Sequence, residues 1–185
     1  MRTRVALAVC LAALAGGLAA CGDEDPSGVA GASVVNEEAV EGEPLELGEL
    51  TYNVQITRFL NPDDTEDSEY LRGQLPPPEG RSYLGVFVLI ENETEEAHPS
   101  ATDYVVFDTL DQEYQVIESE SPYALEIGAE VPAEGQIPIP NTTAATGPNH
   151  ASLMVFLVDD TVSDNRPLRL EISSEDGSGD IILDI

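Results

Sequence analysis

Three features of the amino-acid sequence predict an all-β fold, an antiparallel sandwich of about eight short strands. Leu50, Tyr52, Val54 and Ile56 alternate with polar residues, the period of a strand with one buried face. Tyr83 to Ile90 and Ser152 to Val158 are apolar almost without a break, as strands covered on both faces are. Past the first twenty residues no stretch of helical length carries a 3.6-residue period.

The elements follow in chain order. Arg2 and Arg4 precede an apolar stretch from Val5 to Ala20, the layout of a secretory signal peptide and shorter than the roughly 20 residues of a spanning helix. Leu18-Ala19-Ala20-Cys21 resembles the lipobox of bacterial lipoproteins. That resemblance implies a cleaved signal over residues 1–20, acyl chains on Cys21 and a lipid-anchored position on the extracytoplasmic side of the cell membrane. Residues 21–44 are rich in Asp, Glu, Gly, Ser and Pro with no apolar period, and read as a flexible acidic tether reaching on the order of 25 Å. The folded domain is expected over 45–185.

Within it, the alternating strand from Leu50 extends toward Leu60, and Asn61-Pro62-Asp63-Asp64 breaks it. The acidic stretch through Glu69, with Pro76-Pro77-Pro78 behind it, reads as a long exposed loop. Tyr83 to Ile90 is a central strand. Tyr104 to Thr109 and Glu113 to Glu118 flank Leu110-Asp111-Gln112 as a hairpin whose turn lacks Gly. Ile137 and Ile139 alternate with Pro138 and Pro140, and prolines place such a segment at a sheet edge. Ser152 to Val158 is the second central strand. Leu168 to Ile172 alternates, Asp176-Gly177 turns the chain, and Ile181-Ile182-Leu183 follows as a last strand.

Thirty-six acidic residues stand against seven arginines, with no lysine, for a net charge of −29. Such a field repels phosphate backbones and anionic headgroups, which excludes nucleic acid as a partner and requires a membrane anchor to be hydrophobic. Of the two cysteines, Cys10 lies in the signal and Cys21 carries the lipid, so the expected domain has neither thiol nor disulfide and stands on packing alone.

Candidate chemistry is sparse. His98 and His150 are the two histidines and lie far apart in the sequence, and no Gly-x-Ser-x-Gly elbow or phosphate-binding glycine motif occurs, so no nucleophile–base set is visible. Calcium needs only carboxylates and carbonyls. The acidic groups Asp63, Asp64, Glu66 and Asp67, and the pair Asp159 and Asp160, are the candidate ligands, although the spacing of an EF-hand is absent. Most aromatic residues fall within strand runs; Tyr70 and Tyr123 do not. Tyr123 sits in an irregular segment among apolar neighbours, where packing is the first reading and ligand stacking the second.

The strand ending in Ile90-Glu91-Asn92, the segment Phe107 to Tyr114 and the turn Val131-Pro132-Ala133-Glu134-Gly135 resemble a family of immunoglobulin-like, telokin-like domains common in bacterial lipoproteins. The resemblance spans roughly Leu47 to Ile172. It implies an immunoglobulin-like sandwich in the cell envelope and brings no catalytic residues. The expectation is therefore a non-enzymatic, surface-tethered lipoprotein binding a protein or other envelope component through its loops, without a cofactor. The alternative is a calcium-dependent binding or structural module.

Overall fold

A computed structural model describes residues 37–185. The signal sequence, Cys21 and most of the expected tether lie outside the described residues. In chain order the elements are β1 (Glu37–Val40), β2 (Leu45–Leu47), β3 (Leu50–Leu60), β4 (Arg81–Asn92), β5 (His98–Pro99), β6 (Asp103–Phe107), β7 (Glu113–Ile117), β8 (Glu130–Val131), β9 (Gly135–Ile137), the single-turn helix α1 (Thr143–Thr146), β10 (Ser152–Asp159), β11 (Leu168–Ser174) and β12 (Gly177–Leu183).

Two layers face each other. One holds the order β6-β11-β12, and the other β3-β4-β10, with β2 outside β3. β7 joins them: its first residues pair with β6, through Glu113↔Phe107, Tyr114↔Val106 and Gln115↔Val105. Its last two pair with β10, through Val116↔Phe156 and Ile117↔Val155. The layers thus form one strand order that curls through β7. These ladders are antiparallel, as expected, but β1 pairs parallel with β12, so the sheet is mixed. The strand count also exceeds the expected eight, because very short pairings such as β5–β8 and β4–β9 leave little trace in composition.

The inner core lies between the layers. Leu84, Val86, Val88 and Ile90 of β4 and Met154, Phe156 and Val158 of β10 meet Tyr104 and Val106 of β6 and Leu168, Leu170 and Ile172 of β11. On the opposite face of β4 and β10, Tyr83, Phe87, Leu153 and Val155 form a second cluster with Leu60, Tyr70 and Leu71. This explains why both central strands are apolar on both faces. The cover is the 61–80 segment, exposed over most of its length as expected but anchored by side chains that turn inward. Tyr70 and Leu71 are 5% exposed, turned inward to close the sheet's outer face. Gly85 makes room on this face for the Leu60 side chain of β3, since a Cβ there would lie 2.9 Å from Leu60 Cδ1.

β3 departs from strict alternation. Its pairing with β4 slips between Val54 and Ile56, a bulge that turns Thr57 inward and leaves Ile56 36% exposed, against the expectation of a buried Ile56. The β6–β7 turn works without glycine because Asp111 adopts φ 58°, a conformation Asp tolerates. Asp108 Oδ1 accepts the Leu110 and Gln112 amides at 2.8 and 3.0 Å, holding the loop.

The expected tether also ends earlier than residue 44. Glu37–Val40 is a strand whose order comes from backbone pairing to β12, with Ala39 its one buried residue. Behind it, Glu41 fastens both layers. One carboxylate oxygen accepts the Thr57 amide of β3 at 3.0 Å, and the other accepts the Asp184 amide, just past β12, at 3.1 Å.

Candidate functional site

The 61–80 cover is sewn to the 118–128 segment. Ser121 Oγ donates to the Glu69 carbonyl at 2.8 Å, and Gln74 Nε2 donates to the Glu118 carbonyl at 2.7 Å. Beneath the seam, Tyr70 stands edge-on to Phe87, centroids 5.1 Å apart, and to Tyr123, 4.8 Å apart. The two tyrosines that fell outside strand runs therefore meet. Their rings form a stack from the core to the surface, a favoured aromatic geometry. Gly147 lets the 141–150 loop cross this stack, because a Cβ would fall 2.6 Å from Tyr123 Cε1. Burial pushes the Tyr70 hydroxyl pKa up.

The gap that gives this region its shape arises at β7. After Ile117 the chain leaves β10, and it returns beside β10 only at Ala124, which bridges Leu153 in parallel. Leu153 donates its amide to the Tyr123 carbonyl at 2.7 Å, and its carbonyl accepts the Leu125 amide at 2.9 Å. Between departure and return lies a hollow of about 570 Å³ floored by Leu125, Leu153, Met154 and Val155, with Ile127 at its side and Glu118 and Glu120 on its rim.

Two further hollows border the same 118–130 segment. One, of about 490 Å³, lies between Tyr123, Tyr70, Glu66 and Glu69. The other, of about 400 Å³, is walled by Ala124, Ile137 and Ile139 with Glu126 and Glu130. Each has apolar or aromatic walls and a pair of glutamates. A fourth, of about 600 Å³ between Phe59 and Pro76-Pro77, has one carboxylate, Asp63, and no residue of this segment in its lining.

The acidic residues picked out for calcium do not converge. Asp67, 3% exposed, pairs with Arg58 at 2.5 Å and accepts the Asn61 amide at 2.8 Å. Asp64 accepts the Glu66 amide at 2.9 Å, and the Asp63 amide donates to Asn61 Oδ1 at 3.0 Å, so these groups shape the loop's turns. Asp159 lies 3.0 Å from Arg81 Nε, and Asp160 accepts Ser82 Oγ at 2.6 Å. Among the described residues no three His, Cys, Asp or Glu side chains are grouped as metal ligands. The histidines do separate work in loops. His98 Nε2 is 2.9 Å from Thr94 Oγ1, and His150 Nδ1 is 2.8 Å from the Ala145 carbonyl.

Every described arginine is engaged within the chain. Besides Arg58 and Arg81, Arg72 pairs with Glu69, Arg169 with Asp180 at 2.6 Å, and Arg166 donates to the Ile185 oxygen at 2.5 Å. The glutamates of the 118–130 segment did not stand out in a chain with 36 acids. The signal that pointed here was Tyr123, an aromatic residue in an irregular stretch.

No family model matches the chain, and no curated protein matches its sequence. Solved structures do resemble it. A secreted protein of Mycobacterium tuberculosis, MPT63, superposes with a TM-score of 0.50 at 11% identity, over 83% of this chain and 100% of that one. A putative lipoprotein of Bacillus subtilis, ycdA, gives 0.49 at 11% identity, over 78% of this chain and 38% of that one. An uncharacterized β-sandwich protein of Clostridium difficile gives 0.48 at 12%, over 80% and 95%. At such identities the likeness is one of fold; the chain's own two packed layers of strands make it a β-sandwich protein.

Proposed function

We propose that this chain is a non-enzymatic binding module, tethered to the outer side of the cell membrane through acyl chains on Cys21, that engages an envelope or extracellular partner at the loops of the 118–130 segment. The observation that carries the reading is the gap left where β7 departs from β10, an apolar-floored hollow open to solvent and continuous with loops on both sides. Concave sites with apolar floors and a few placed polar groups are where ligands bind. The seven principal strands run β3-β4-β10-β7 and β6-β11-β12, which is first-second-fifth-fourth and third-sixth-seventh. That Greek-key order supports an immunoglobulin-like sandwich, a scaffold whose end loops carry recognition. The lipobox-like Leu18 to Cys21 and the fold shared with a protein described as secreted favour an extracytoplasmic site.

The test is site-directed photo-crosslinking in whole cells, with the reactive group at Ile127 in the hollow or at Leu110, 72% exposed on the β6–β7 turn. A discrete adduct is expected from Ile127 and none from Leu110. Ala124→Trp, whose indole would occupy the hollow, should abolish it. Equal labelling at both positions, or an adduct indifferent to the tryptophan, would refute this site.

A further inference from the structure

We propose that the occupant of this surface is an extended basic segment of a protein partner, whose arginine or lysine stems lie on the apolar floors and whose charged heads meet the paired glutamates. The inference rests on the binding reading above and gives it a partner chemistry. The argument has three parts.

The first is shape with polarity. Three hollows with apolar or aromatic walls border the 118–130 segment: one carries Glu118 and Glu120 and one Glu126 and Glu130, these two sharing Ala124, and a third, at Tyr123, carries Glu66 and Glu69 beside Arg58. An apolar floor under a carboxylate rim matches a side chain with a hydrocarbon stem and a cationic tip. An apolar peptide would leave the rim carboxylates desolvated without a counter-charge, which is costly. An acidic one would be repelled.

The second is that the described residues hold no spare cation to satisfy the rims at Glu118, Glu120, Glu126 and Glu130. The described arginines are committed to Asp67, Glu69, Asp159, Asp180 and the Ile185 oxygen. Arg58 lines the hollow at Tyr123 and Arg72 offsets Glu69 there, but Glu118, Glu120, Glu126 and Glu130 have no arginine among the residues that line their hollows. The third is the aromatic wall. Tyr70 already holds a guanidinium, Arg58, 5.5 Å from its ring centre. Tyr123 is half-buried beside it, so its ring offers that hollow a second surface of the kind that attracts cations.

Charge attraction to the whole molecule must be separated from recognition by the hollows. The probe is a short labelled peptide with arginine at every third position and leucine and glycine between, read by fluorescence anisotropy against the full chain at physiological salt. Its counterpart replaces each arginine by citrulline, which keeps the shape and removes the charge. Glu118→Gln with Glu120→Gln is compared with Glu37→Gln and Glu38→Gln, an equal change of charge on β1 at the far end of the strand order. The expected result is that citrulline and the hollow variant each weaken binding by about tenfold or more while the β1 variant changes it by less than about twofold. Tyr123→Ala should weaken it as well. Equal losses from both glutamine pairs would assign the attraction to the overall field and overturn the proposal. So would citrulline peptide binding as tightly, or no binding of the arginine peptide at millimolar concentration. An Ile127 adduct blocked by Ala124→Trp but made with a partner segment free of basic residues would overturn this inference alone and leave the binding module standing.

Discussion

Phe87 and Phe156 are both completely buried, yet they sit in different cores, and removing them should have different consequences. Truncation of a buried phenylalanine to alanine costs about 3–5 kcal/mol, through lost transfer energy and the cavity left behind. At Phe87 the edge-on contact with Tyr70 adds about 0.5–1.5 kcal/mol. What decides between the two sites is how far each cavity can close. Phe156 lies between two layers of paired strands whose spacing is fixed, so Phe156→Ala should fall at the upper end of the range. Phe87 lies beneath the 61–80 cover, which has no strand pairing to hold it off the sheet, so the cover can settle and Phe87→Ala should fall near the lower end despite the lost ring contact. At about 2–4 °C per kcal/mol for a domain of this size, the shifts in Tm lie between about 6 and 20 °C. Against a total stability of about 5–15 kcal/mol, the losses are read by urea unfolding followed by circular dichroism, and at the low end of that range Phe156→Ala would leave the domain unfolded. The variants also differ in a second readout. Phe87→Ala should open the 61–80 segment to proteolysis, whereas Phe156→Ala should lower global stability without selective nicking. A cost under about 1 kcal/mol at Phe87, or a cover as protease-resistant as in the parent, would show that the outer cluster is not a core.

Tyr104 is buried beside Tyr52, and desolvation pushes the hydroxyls of both above the ordinary tyrosine range, Tyr104 furthest. Their contribution to stability is complete below the unfolded value of about pH 10 and is lost as pH rises toward the folded values. Alkaline unfolding should therefore begin above pH 10 with tyrosinate absorbance and loss of β-type dichroism rising together, and Tyr104→Phe should postpone it; early, non-cooperative ionisation of all six tyrosines would contradict this. Calcium should leave Tm unchanged, because Asp64, Asp67, Asp159 and Asp160 are engaged by a loop amide, Arg58, Arg81 and Ser82, and among the described residues no three candidate ligands are grouped. A specific site would instead add about 2.7 kcal/mol at a hundredfold excess over its Kd, a plain rise in Tm. Cys21→Ser should move the protein from the membrane fraction to the soluble one, since each buried CH₂ of an acyl chain is worth about 0.8 kcal/mol; retention of the variant in salt-washed membranes would end the lipoprotein reading.

The sequence shows a residue's polarity and period, and the structure departs from it where neither decides the outcome. Tyr83 to Ile90 and Ser152 to Val158 announced burial on both faces, and both strands are sandwiched. What covers the second face could not be read, because the cover is mostly Asp, Glu, Pro and Gly and relies on a few side chains, Tyr70 and Leu71 above all. Nor could the bulge in β3, which costs no apolar residue and only changes which one faces in. β1 escaped because its ladder to β12 is made by backbone groups that every residue carries. At the candidate site, Tyr123 drew notice as an aromatic residue out of place. Its neighbours Glu118 and Glu120 gain meaning only from the gap at β7, which is a fact of topology.

The parallel pairing of β1 with β12 bears on how this domain would carry a load. A molecule held through residues before Glu37 and tugged by a partner at its loops transmits tension along β1. Because β1 runs beside β12 in register from Glu37↔Gly179 to Val40↔Ile182, tension along the strand stretches these links side by side, in shear, instead of unzipping them in turn. Just downstream, Glu41 rivets the strand's exit to the Thr57 and Asp184 amides, one in each layer, so that slippage must break contacts on both sides at once. Under such a load Glu37 to Glu41 would act as a mechanical clamp, and the force reaching the hydrophobic interior would be what remains after that clamp yields.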